Sequence, residues 1–201
     1  VGLRSPAPKK KRDRVLSDDE LAAVWHAASQ MGHPYGIIIQ LLLVTVQRRS
    51  EVVGLRWNMI DWGEKVWRVP AAENKSGRTY LVPLTDVAIE ILKTVPRVDD
   101  RLLFPAQRTD GKVFADWSKS KNRIDKLSGV TGWTIHDLRR TGSTNLARLG
   151  VAPHVKERVL NQLTGELGGI ASVYDIYSYL PEKQEALEKW SERIKKITAS
   201  G

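Results

Sequence analysis

The spacing of apolar positions changes twice along this chain, and the changes mark its elements. In "LSDDELAAVWHAASQMG" (16–32), Leu21, Val24 and Trp25 recur at helical spacing. Ser17 stands at an N-cap position with Glu20 three residues on, a capping-box arrangement, and Gly32 closes the segment. "YGIIIQLLLVTV" (35–46) is apolar on nearly every face, which predicts a buried helix over about 35–47. From Arg56 the period shifts. "RWNMIDWGEKVWRVPAAENKSGRTYLVPLT" (56–85) carries short alternating runs broken at "WGEK" and "NKSGR", the pattern of a three-stranded antiparallel meander. Helical spacing returns at about 85–95, 117–128, 136–149, 153–161, 170–178 and 182–197. The expected fold class is mostly α with a small three-stranded antiparallel β-sheet (α+β), without internal repeats.

Composition narrows the function. The 201 residues suffice for one substantial domain, and 41% hydrophobic content suits a packed core. A formal charge of +9 points to a polyanionic partner, of which nucleic acid is the usual one. A membrane is the weaker alternative, because no stretch reaches the roughly 18 apolar residues that a span needs. There is no cysteine, which excludes disulfides and thiolate metal sites. The four histidines show no HxH or HxxxH spacing, so neither a metal nor another cofactor is expected, although carboxylate magnesium sites stay open. No signal peptide is visible, which predicts an intracellular protein. "SPAPKKKRDR" (5–14) lacks apolar periodicity and reads as a linker or a nuclear localisation signal. The expected division is therefore a basic arm over 1–14 and a folded domain over 15–201 that ends in the 182–197 helix. The abrupt start suggests a fragment whose N-terminal neighbour is missing.

Five places could carry chemistry. Arg48 and Glu51 in "QRRSEVVGLRW" have i, i+3 spacing, which also fits a plain helical ion pair worth ~0.2–0.5 kcal/mol. Lys75 lies in the "NKSGR" turn, where exposed lysines are common. In "TIHDLRRTGSTNLARLG" (134–150), His136 and Arg139 crowd a helix start, with Ser143 one turn on. Cations there oppose the helix dipole unless an anion is to be bound, and a solvated basic face is the simpler reading. Helical spacing sets these three opposite Leu138, Gly142, Leu146 and Leu149, so their stripe is expected to face away from the hydrophobic interior. Last come Tyr174, Tyr177 and Tyr179, which could equally be packing residues.

In combination these residues resemble the catalytic domain of the tyrosine recombinases, the phage-integrase family. The resemblance covers about residues 14–190. The family's first box, T-G-x-R-x-x-E-L, looks like "TVQRRSEV" (45–52), and its second, H-x-L-R-R-T, appears as "HDLRRT" (136–141). Its hairpin lysine is found in "ENKSGRTYLVPL" (73–84), and "RVLSDDEL" (14–21) looks like its first catalytic-domain helix. "YDIYSYLPEKQEALEKW" (174–190) is most similar to integrases of prophages and genomic islands. Among the catalytic positions, one departs. Where the family usually has a second His or a Trp, "VLNQLTGELGG" carries Gln162, an amide that can donate a hydrogen bond but carries no charge or transferable proton.

The resemblance implies a tyrosine-recombinase fold and metal-free cleavage and rejoining of double-stranded DNA through a 3′-phosphotyrosyl link. It implies Arg48, Lys75, His136, Arg139, Gln162 and Tyr174 as catalytic residues, with Glu51 in support. Tyr177 and then Tyr179 are the alternatives for the nucleophile. It further implies a tetramer on paired DNA sites, accessory DNA-bending or directionality proteins, and a bacterial, nucleoid-associated location. The 182–197 helix would pass to a neighbouring protomer or pack in cis. Two rivals share these residues: a type IB topoisomerase that relaxes DNA, and a DNA-binding module weakened in catalysis at Gln162.

Overall fold

A computed structural model describes residues 13–74, 77–106, 111–162 and 179–199. Among these, the elements follow the expected order: α1 (Asp18–Met31), α2 (Tyr35–Thr45), α3 (Arg49–Val53), β1 (Ile60–Asp61), β2 (Val66–Val69), β3 (Tyr80–Pro83), α4 (Asp86–Lys93), α5 (Trp117–Ser128), α6 (Ile135–Arg148), α7 (Pro153–Val159) and α8 (Leu180–Ala199). The helix expected at 170–178 lies outside the described residues, as do residues 1–12 of the expected arm. Arg14, placed at the end of that arm, belongs to the fold instead. Its guanidinium pairs with Glu20 at 2.5 Å.

Ser17 caps α1 through the full capping box with Glu20, and three acids lie in the first turn where the dipole favours them. Gly32 ends the helix with φ 61°. Leu21, Val24, Ala27 and Ala28 form its buried face. The small residues let α2 cross closely: a Cβ on Gly36 would lie 2.0 Å from the Ala28 carbonyl oxygen. Ten of the eleven residues of α2 are buried, so it forms the centre of the core, as its unbroken apolar run predicts.

The sheet is the expected antiparallel meander in the order β1-β2-β3, with Trp67 opposite Ile60 on one side and Val82 on the other. Its strands are short, and "WGEK" turns the first pair. The open edge of β3 is covered by α8, whose Lys183 donates to the Leu81 carbonyl at 2.6 Å. Burial, and then the like charge of Arg158, push Lys183 down to about 8.

The C-terminal helix packs in cis. Leu187, Trp190 and Ile194 are almost wholly buried, and the Trp190 indole donates to the Leu43 carbonyl of α2 at 2.7 Å. Among the described residues, no helix is long and apolar enough to cross a membrane.

Gly36→Ala should destabilise the chain at or above the upper end of the ~1–3 kcal/mol range for overpacking, because the obstructing atom is backbone. Gly63→Ala, which meets only an Asp61 carboxylate oxygen at 3.5 Å, should stay within ~0.5 kcal/mol. Urea unfolding of the two variants against the parent chain measures both.

Candidate active site

Three of the six residues expected to be catalytic meet at one cleft of about 710 Å³, formed where the end of α2, α3, α5 and the start of α6 converge. They are Arg48, His136 and Arg139. The lining also includes Arg49 and Lys121, and among the described residues it contains no aspartate or glutamate.

The local sequence explains how each is held. Arg48 is the extended residue before α3, and Glu51 is the third residue of that helix. The Glu51 carboxylate accepts from the Arg48 backbone N–H at 2.8 Å and from its guanidinium at 3.0 Å. A second guanidinium nitrogen of Arg48 donates to the Asn161 carbonyl at 3.3 Å. The Glu51 side chain is only 1% exposed, so it works from behind the cleft. The i, i+3 pair is therefore both a helix cap and an orienting contact.

Arg139 corrects the expectation of an outward stripe. It is 5% exposed, and its neighbours Asp137, Thr141 and Asn145 are buried too. Leu138 and Leu146 do face the core, but α6 is enclosed on much of the other side as well. The physical reason is that the end of α2 and the end of α7 close over it. Arg139 donates to the Val46 carbonyl at 2.6 Å and to the Leu160 carbonyl. Each arginine thus commits two of its five N–H donors to the protein, leaving the others for a ligand. Burial, and then the charge of Arg48, lower Arg139 to about 10, which still leaves it cationic at pH 7.

Val46 is held with φ 57°, a strained conformation for a β-branched residue. It is accommodated by Gly142 on α6, where a Cβ would come within 2.9 Å of both Val46 γ-carbons. The glycine of "HDLRRTG" therefore makes room for the residue whose carbonyl holds Arg139.

His136 is exposed at the first turn of α6. Partial burial first, then Arg140 and Arg139, lower its pKa from 6.5, so the ring is neutral at pH 7. The cationic helix start has its own compensation: Asp137 closes a capping box with Thr134 and pairs with Arg140 at 2.5 Å. Gln162 follows the two carbonyls that hold the arginines, but it is exposed and does not line the cleft. Ser143 is also outside the lining. Tyr179, the third alternative for the nucleophile, lies instead against α7, with Arg158 at 3.8 Å and His154 at 5.7 Å from its ring centroid. Lys75, Tyr174 and Tyr177 lie outside the described residues. Among the described residues, no cluster of three His, Cys, Asp or Glu could hold a metal ion.

A family model described as the Phage integrase family matches residues 14–162. The chain belongs to the phage integrase family. It is 26% identical over 200 residues to prophage integrase IntA of Escherichia coli K12, covering 97% of this chain and 48% of the relative. It is 27% identical over 190 residues to the integrase of Salmonella phage P22, covering 88% of this chain and 46% of that one. The chain spans about half the length of the curated relatives it matches. Among solved structures, the integrase from mycobacterium phage Brujita superposes with a TM-score of 0.69 at 19% identity, covering 96% of this chain and 66% of that one. A lambda integrase tetramer bound to a Holliday junction gives 0.62 at 19% identity, covering 83% and 52%. These likenesses establish the fold as that of integrases, as the sequence resemblance implied.

Several contributors to this integrase-family cleft were not singled out from sequence. The carbonyls of Val46, Leu160 and Asn161 have no side-chain signature at all. Trp117 and Trp133 stand in no motif singled out above, and the doublet in "QRRS" does not tell which way Arg49 turns.

Two outcomes follow from this geometry. Gly142→Ala should cost ~1–3 kcal/mol in urea unfolding, because Val46 must shift. The NMR titration of His136 should have its midpoint below 6.5, and Arg140→Gln should move it upward by removing a repelling charge. In stability, the neutral ring's contribution is complete above the unfolded value and is lost as the pH falls through the lower folded midpoint.

Proposed function

We propose that residues 15–201 are the catalytic domain of a site-specific DNA recombinase, which cleaves and rejoins strands through a 3′-phosphotyrosyl intermediate. The observation that carries this reading is the cleft itself: four arginine and lysine side chains and a neutral histidine, with no acid among the described residues of its lining. Such a surface suits a phosphodiester, whose non-bridging oxygens gain charge in the transition state and are stabilised there by fixed cations. Arg48 and Arg139 are suited to grip them, since planar forks stay charged and bind bidentately.

In this reading the Tyr174 oxygen bonds to phosphorus as the bond to the 5′-oxygen breaks. His136 accepts the phenolic proton, for which its neutral ring is suited, and Lys75 protonates the leaving 5′-oxygen, which departs as the hydroxyl. Tyr174 and Lys75 rest on the motifs "VYD" and "ENKSGRT". Glu51 orients Arg48. Gln162 stands where a stronger donor is usual, and it retunes the rate. The link conserves the phosphodiester, so religation to another strand needs no energy source. The partner is double-stranded DNA, with four protomers on paired sites, as in the lambda integrase tetramer on its junction. The same reading places the protein at the bacterial nucleoid with accessory DNA-bending or directionality factors.

A nicked suicide duplex tests the chemistry. The parent chain should give an SDS-stable adduct, unaffected by EDTA. Tyr174→Phe should give none, and Arg139→Lys should slow its formation by roughly 10²–10³, the scale of a lost preorganised donor. An adduct that survives in Tyr174→Phe but disappears in Tyr177→Phe would reassign the nucleophile.

A further inference from the structure

The cleft continues beyond Arg48 and Arg139, between α3 and α5, into a stretch that the chemistry above does not use. Arg49, Trp117, Lys121 and Trp133 line it. The Arg49 guanidinium carbon lies 4.8 Å from the Trp117 ring centroid, and the Lys121 ammonium lies 4.1 Å from that of Trp133. An indole face fixes the position of a cation without cancelling its charge. The Trp117 platform is itself braced edge-on by Tyr35 at 5.9 Å and Phe114 at 5.1 Å, both buried.

The two cations differ. Lys121 also contacts both oxygens of Asp125, at 2.5 and 2.6 Å, so its charge is shared. Arg49 is exposed, and no carboxylate pairs with it among the described residues. Arg48 and Arg49 are consecutive, yet their forks diverge. One is drawn to Glu51 and the Asn161 carbonyl, the other to Trp117. Phosphates follow one another along a DNA strand at about 3.4 Å of helix axis. A strand with one phosphate at Arg48 and Arg139 therefore presents another close by, and a cleft of about 710 Å³ exceeds what one phosphate fills.

We propose that Arg49, seated on Trp117, forms a second phosphate subsite that takes the phosphodiester next to the reacting one on the same strand. Lys121 on Trp133 adds charge to the same stretch. This rests on the reading of the cleft as a DNA site, and the test separates the two.

Binding of a duplex to the whole chain is measured by fluorescence anisotropy across a salt series, for the parent and for Arg49→Met. Each phosphate flanking the reacting one is then replaced singly by an uncharged methylphosphonate. Arg49→Met should weaken binding roughly tenfold, the scale of one charge-assisted hydrogen bond. It should also lower the slope of log affinity against log salt by about one. At one flanking position the parent should lose the same factor and the variant nothing further. Trp117→Leu should reproduce the loss with Arg49 intact. An unchanged salt slope in Arg49→Met, or losses that multiply at every flanking position, overturns the subsite. A parent chain that does not bind the duplex at all overturns the DNA reading itself.

Discussion

A buried guanidinium held by carbonyl oxygens organises this molecule. Arg139 is almost fully enclosed, and its direct partners are the backbone of Val46 and Leu160. Removing such a charge from water costs several kcal/mol unless dipoles or counter-charges replace the solvent. Two carbonyls supply part of that replacement, and Glu51 contributes through the nearby field. An anion in the cleft would supply the rest. The ends of α2 and α7 meet α6 at this side chain, so the same contacts that satisfy the charge also set how three helices join.

Acids are placed behind the cations rather than among them. Glu51 and Asp137 each sit at the third position of a helix, accept from the capping residue's N–H, and pair with an arginine. Both carboxylates are about 1% exposed. This arrangement compensates two helix starts internally, while the paired arginines Arg48 and Arg140 stay partly exposed. At the cleft, the counter-charge of Arg48 is turned inward as Glu51, so the described lining carries cations and no acid.

The C-terminal helix limits how protomers could exchange segments. Leu187, Trp190 and Ile194 fill the groove beside α2, and each such burial is worth ~1.5–3 kcal/mol. Passing α8 to a neighbour would have to restore all of that, together with the indole bond to Leu43 and the Lys183 bond that closes the edge of β3. Tyr179, immediately before α8, lies against Arg158 and His154 of α7.

Local rules determined most of the elements from sequence alone. Ser17 and Glu20 capped α1, the unbroken run of α2 required burial, and "WGEK" turned the hairpin, because caps, periodicity and turn chemistry act within a few residues. The motifs around Arg48 and around His136 and Arg139 singled out residues that line one cleft for the same reason: they are short and contiguous. What the sequence could not decide was which side of α6 is enclosed. Its helical stripe showed Arg139 turning away from the leucines, but only the approach of Val46 and Leu160, distant in sequence, buries it. The carbonyls that hold the arginines, the tryptophan beneath Arg49 and the cis docking of α8 were settled by tertiary structure in the same way. Each depends on backbone or aromatic surface that any residue pattern could have offered and only packing brings within reach.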